Sequence, residues 1–225
     1  MKHHLVILLA TALMLATGCK HNSYDSGDGE LSYMRADFTE AHTIASKQMD
    51  YAVTDEGDKV VFAHRYGCDW ATKADSTYRS LVYYNKVDGM NEVSVVTITN
   101  VPVLRFKTET KDDKPENKRM DPVVFESAWL SKNRKWINIG FAIKTGQADT
   151  PDSKQVIGCF CDEVKTLSDG TKEYHLSLYH NQNNVPEYYS SRMFASIPTD
   201  GINQGDKVII NIMGYNGLVT KEFTL

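Results

Sequence analysis

Residues 206–225 read DKVIINIMGYNGLVTKEFTL. Two apolar-rich stretches flank Tyr215-Asn216-Gly217, and Asn-Gly between such stretches is the strongest short-range hairpin signal. The chain therefore closes on an antiparallel pair, and the same grammar runs upstream from it. SSRMFASIP (190–198), KEYHLSLYHN (172–181), KQVIGCFCDEV (154–164), WINIGFAIK (136–144) and DPVVFESAWL (121–130) all read as strands, with turns at SDGT (168–171) and SKNRK (131–135). Seven short strands between residues 121 and 225, punctuated by turns, predict a β-sandwich.

The first half continues the pattern. SYMRADF (32–38) and HTIASKQMDYAV (42–53) lead to the turn TDEGDK (54–59), then VVFAHR (60–65). After a loop over 67–77 come RSLVYYNKV (79–87), the turn DGMN (88–91) and EVSVVTITNVPVLRF (92–106). No stretch places apolar residues at i, i+3, i+4 and i+7, so no amphipathic helix is expected. Five or so strands over 31–106 suit a small barrel. Between the halves, KTETKDDKPENKR (107–119) holds no apolar residue and reads as a charged linker over 107–120; Pro115 and the missing apolar face argue against a helix. The expected fold is all-β, in two domains.

The N-terminus gives an address. Lys2 precedes an apolar run from Leu5 to Met14, about half of the roughly 20 residues a bilayer span needs. A short positive region, a short apolar region and a small-residue exit describe a signal peptide over 1–18. The exit, Leu15-Ala16-Thr17-Gly18-Cys19, resembles the bacterial lipobox, which makes Cys19 the lipidated residue. Residues 19–30 are polar and rich in Gly, Ser and Asp, too poor in apolar area to fold, and read as a tether. The expected location is the cell envelope, as an outer-membrane lipoprotein held by its N-terminal lipid, facing either the periplasm or the surface.

The 225 residues are 41% hydrophobic and 24% charged with a formal charge of −4, so the body is an ordinary globular one. Nothing resembles the basic stripe that nucleic acid demands. Beyond Cys19 there remain Cys68, Cys159 and Cys161. Cys159 and Cys161 share one strand face, where a bond between them would strain the pleat. A C-x-C pair can hold metal, but no second pair completes four ligands. Buried thiols are the expectation, with a bridge from Cys68 to one of them as the alternative.

No G-x-S-x-G elbow, P-loop or dinucleotide fingerprint occurs, so no catalytic residue, metal or cofactor is expected. Alternation puts His175 and His180 on opposite faces of their strand, and His180 is expected to bond the loop that follows. His42 and His64 could face each other across a hairpin. Trp129 and Trp136 sit beside Phe125 and Ile137, where core packing is expected. Trp70, in the polar loop CDWATKADS, and Tyr188 and Tyr189, after NQNNVPE, are the candidate binding residues.

DPVVFESAWLSKNRKWINIGFAIK, HLSLYHN, YYSSRMFASIP and the closing hairpin resemble the NigD-like lipoproteins of Bacteroidota, and the lipobox, the acidic tether, RSLVYYN and VTITNV match that family's first portion. The resemblance implies an N-terminal OB-like barrel followed by a β-sandwich, and no established activity. It points to a non-catalytic, protein-interaction or immunity-type lipoprotein whose partner is another envelope protein. A glycan- or small-ligand-binding lipoprotein is the alternative.

Overall fold

A computed structural model describes residues 34–85, 92–108, 118–147 and 153–225. The signal peptide, Cys19, the tether, the turn at 88–91 and residues 109–117 of the charged stretch lie outside the described residues. Among the described residues there is no helix.

Strands β1 (Met34–Ala45), β2 (Gln48–Thr54), β3 (Lys59–Gly67), β4 (Ser76–Asn85) and β5 (Glu92–Asn100) close into a barrel in the order β1-β2-β3-β5-β4. β1 returns antiparallel to β4, and β3 meets β5 in parallel. This is the five-stranded closure of an OB-fold. Turn chemistry drives it locally. The Thr54 hydroxyl accepts from the N–H groups of Glu56 (3.3 Å) and Asp58 (3.2 Å), while Gly57 takes φ +94°. Bulges in β1, β2, β3 and β5 supply the bends a small barrel needs. Ala41, Met49, Ala52, Phe62, Val82, Tyr84 and Ile98 fill the interior. Tyr84 donates to Asp37 at 2.5 Å, and burial pushes its phenol well above the ordinary range.

The remaining strands are β6 (Lys107–Thr108), β7 (Val124–Leu130), β8 (Trp136–Thr145), β9 (Val156–Thr166), β10 (Lys172–Asn181), β11 (Tyr189–Pro198), β12 (Lys207–Gly214) and β13 (Gly217–Thr224). They form a sandwich of a five-stranded sheet, β13-β12-β10-β9-β6, and a three-stranded sheet, β11-β8-β7. Ile137, Ile139 and Phe141 of β8 meet Leu176 and Leu178 of β10 and Val208, Ile210 and Ile212 of β12 in its core. The closing hairpin lies where its turn residues put it. Gly214 pairs with Gly217 across the two-residue loop Tyr215-Asn216, and Gly217 alone takes a positive φ there, +115°.

The two ends of the charged stretch belong to the sandwich. β6 pairs with β9, and the Arg119 carbonyl accepts from the His180 N–H at 3.1 Å. Cys68 is free and buried in the barrel core, and Cys159 and Cys161 are buried in the sandwich core, so the alternative bridge from Cys68 is not formed. Burial pushes Cys68 up to about 11 and Cys159 up to about 12, where a thiol is inert.

Residues 34–225 form one compact unit, and its junction is polar. Arg79 of β4, whose side chain is 1% exposed, grips Asp55 of the β2–β3 turn with two bonds of 2.6 and 2.7 Å. The same guanidinium donates to Asn138 of β8 (2.9 Å) and Ser196 of β11 (3.1 Å). Asn138 in turn accepts from the Ser196 hydroxyl at 2.7 Å and donates to Asp55 at 3.3 Å. The Arg79 guanidinium lies over the rings of Trp136 (4.8 Å) and Phe38 (5.4 Å). A buried charge is tolerated only when paired and hydrogen-bonded, and here every member is. Trp129 packs edge-on against Phe38 of β1 at 5.3 Å. Both tryptophans expected in a core therefore pack at the barrel–sandwich junction, because the outer face of the three-stranded sheet is covered by the barrel.

Candidate functional site

The loop between β10 and β11 is built from NQNNVPE. Asn183 and Asn184 both take left-handed conformations, φ +47° and +57°, which asparagine tolerates better than other non-glycine residues. Side chains hold the loop in place. Asp121 accepts from the Gln182 N–H at 2.7 Å, and the Gln182 amide donates to the carbonyls of Lys144 (2.9 Å) and Val185 (2.8 Å). The Asn183 N–H donates to the Asn181 side chain at 2.9 Å. These bonds surround a cleft of about 660 Å³ whose wall includes Arg119, Asp121, Asn181, Asn184 and Glu187.

His180 lies beneath this loop, fully buried. Its Nδ1 is 3.0 Å from the Asp121 carbonyl and its Nε2 is 2.9 Å from the Gln155 side-chain oxygen. Both partners are acceptors, so a neutral imidazole satisfies one of them at a time. His175, on the opposite face, bonds Glu173 at 2.6 Å. His180 therefore bonds Asp121 and Gln155 rather than the loop that follows it, and it is buried more deeply than its strand-end position suggests.

Tyr188 and Tyr189 emerge where the loop becomes β11, 80% and 61% exposed. Neither ring has an aromatic or cationic partner among the described residues. Tyr188 lies against the bare backbone of Gly146: a Cβ there would sit 2.8 Å from the ring. From a third direction comes Tyr215, whose hydroxyl donates to Glu187 at 3.2 Å under the Lys144 ammonium, 4.3 Å above the ring. Burial, then the Glu187 charge, pushes the Tyr215 phenol up to about 12. Gly146, Lys144 and Tyr215 were not read from sequence as site residues, because they arrive from β8 and the closing hairpin. The structure brings Tyr188 and Tyr189 together and leaves Trp70 on the barrel. The Trp70 ring is half-buried against the barrel core and meets Tyr78 edge-on at 5.7 Å, closing the barrel end.

A separate polar cluster marks the barrel wall. His42 lies between Asp50 (2.8 Å) and Asp75 (3.2 Å) and stacks on Tyr51 at 4.6 Å, with Lys59 over that same ring at 3.9 Å. Its imidazole pKa is raised, chiefly by the hydrogen bond to the Asp50 carboxylate. The carboxylates hold opposite nitrogens, and His42 does not pair with His64. Among the described residues no three His, Cys, Asp or Glu side chains converge as a metal set.

No protein-family model and no curated protein sequence matches the chain. Solved structures do. A NigD-like immunity protein from Bacteroides caccae superposes with a TM-score of 0.61 at 19% identity, over 84% of this chain and 96% of that one. The chain has a NigD-like fold. A protein of unknown function from Bacteroides vulgatus shares it (TM-score 0.64, 16% identity, 85% and 90% covered). So does a protein provisionally named a lipoprotein from Bacteroides fragilis (0.59, 11%, 84% and 96%). At these identities the likeness establishes the NigD-like architecture, a barrel joined to a sandwich, which the resemblance read from sequence implied.

Proposed function

We propose that this NigD-like chain is a non-catalytic lipoprotein, anchored in the outer membrane through Cys19, that holds another envelope protein in an adaptor or immunity-type role. The observation that carries it is the pair Tyr188 and Tyr189, the two most exposed large rings among the described residues, adjacent on a loop braced from three sides. Tyrosines of this kind anchor protein interfaces because a rigid ring covers much area at little entropic cost. The immunity-type name of one structural neighbour and the lipoprotein name of another support the same reading.

Crosslinking of intact cells carrying a C-terminally tagged chain tests it. One dominant envelope protein retained by the wild type, and reduced at least tenfold by Tyr188→Ala with Tyr189→Ala, is the expected result. Equal retention by both forms, or none by the wild type, contradicts it. Loss of lipid labelling in Cys19→Ala checks the anchor.

The polar cleft favours a second reading, a glycan ligand, since amides and carboxylates beside bare tyrosine rings suit sugar hydroxyls. A polysaccharide titration followed by intrinsic fluorescence, flat for Tyr188→Ala and responsive for the wild type, would support it.

A further inference from the structure

The open strand edges of the sandwich are treated unequally. β13 carries Lys221 and Glu222, and β7 carries Glu126 and a bulge between Phe125 and Ser127; charges and bulges keep an edge from pairing. β11 is also an edge, joined only to β8. Its first half, Tyr189–Arg192, is exposed at every position, and its one charge is turned to Glu126 at 2.7 Å. No lysine or proline protects that half.

Ser196 fixes which main-chain groups face outward. Its N–H donates to the Pro102 carbonyl and its C=O accepts from the Leu104 N–H, each at 2.9 Å. Bonding direction alternates along a strand. The N–H and C=O groups of Ser190, Arg192 and Phe194 therefore also point away from β8, and among the described residues nothing pairs with them. The chain's own segment 102–104 occupies this lane at Ser196, parallel to β11. It leaves the lane at Val101, whose N–H turns to the Arg79 carbonyl of the barrel. Beside the open part lies a recess of about 360 Å³ lined by Leu81, Tyr83, Val101, Met193 and Phe194.

We infer that the β11 edge from Ser190 to Phe194 receives, by strand addition, an extended segment of the partner protein with apolar side chains at alternate positions. The inference rests on the protein-interaction reading above and names what the partner presents. Main-chain bonds to Ser190, Arg192 and Phe194 would hold the segment, and its alternate side chains would enter the recess. The open lane is about 16 Å long at the usual rise per residue, enough for a segment of roughly five residues. Leu81 and Tyr83 of barrel strand β4 line that recess together with Arg192, Met193 and Phe194 of β11, so the barrel flanks the open lane as segment 102–104 flanks Ser196. A lone segment enters such a lane, whereas the edge of a second folded copy does not.

Amide hydrogen exchange by NMR on the full chain in mild detergent tests this, with the hexapeptide Thr-Val-Thr-Val-Thr-Val as probe. Millimolar probe is expected to slow exchange at Ser190, Arg192 and Phe194 at least tenfold and to leave Ser191 and Met193, already bonded to β8, unchanged. Ser190→Pro removes one outward N–H where an edge tolerates proline, and should weaken the probe at least tenfold with unfolding unaltered. The probe N-methylated at alternate amides should not bind, a control that stands even if the variant misfolds. Unchanged exchange, or equal binding of the methylated probe, overturns the inference. So does protection in the free chain, whether it grows with protein concentration, meaning a second copy, or not, meaning cover by the chain itself. If the tyrosine variants lose the cellular partner while the probe leaves these amides bare, the interaction reading stands and strand addition falls. If the amides are protected while no cellular partner is retained, the interaction reading falls instead.

Discussion

The barrel–sandwich junction and the loop at 181–189 are made of the same residue types used in opposite ways. At the junction, Arg79, Asp55, Asn138 and Ser196 satisfy one another, and Phe38, Trp129 and Phe194 meet edge-on at 5.2 to 6.3 Å. At the loop, amides brace the backbone while Tyr188 and Tyr189 face solvent unpaired. Saturated polar and aromatic groups hold a protein together. Groups left unsaturated on a rigid frame are the ones free to hold something else.

The largest expected effect lies at the junction. Arg79→Met removes the charged partner of Asp55 and one donor to Asn138 and should cost about 3–5 kcal/mol in denaturant unfolding, the usual cost of breaking a buried ion pair. A loss under about 1 kcal/mol would mean the network is ornamental, since that is the range of surface pairs. Gly140→Ala comes next. Its Cβ would meet Ser127 Oγ at 2.8 Å and the Phe194 ring at 3.0 Å, so repacking should cost about 1–3 kcal/mol.

The loop should behave in reverse. Tyr188→Ala with Tyr189→Ala should change stability by no more than about 0.5 kcal/mol, as for other exposed positions, while partner retention collapses. Gly146→Val would sharpen the contrast by displacing the Tyr188 ring without touching a buried charge.

The smallest effect is electrostatic. The folded-state pKa of His42 is raised above 6.5 by Asp50 and Asp75, so its contribution is fully present below the unfolded-state value. That contribution is lost as pH rises through the folded-state value. Melting temperature should fall modestly from mildly acidic to mildly alkaline pH, and His42→Gln should flatten the slope. An unchanged slope would mean the two carboxylates do not hold the ring in solution.

Legibility in the sequence follows the range of the interaction. The hairpins at 54–59 and 206–225 were readable because turn chemistry is local, and the alternation of β10 separated His175 from His180, which the structure has on opposite faces. Arg79 was not readable, since its partners lie 24, 59 and 117 positions away and a lone arginine beside a strand looks like surface. Trp129 and Trp136 were read as core, whereas assembly packs them at the barrel–sandwich junction against Phe38 and Arg79. Tyr188 and Tyr189 could be picked out by the loop before them. Gly146, which leaves room for the Tyr188 ring beside it, carries no such local sign.

A photo-crosslinking residue placed at position 188 in intact cells tests the central claim most directly, with the same residue at position 70 as its counterpart. The account predicts one dominant envelope-protein adduct from position 188 and none from position 70, where the side chain closes the barrel. No adduct from position 188, or the same adduct from both positions, would contradict it.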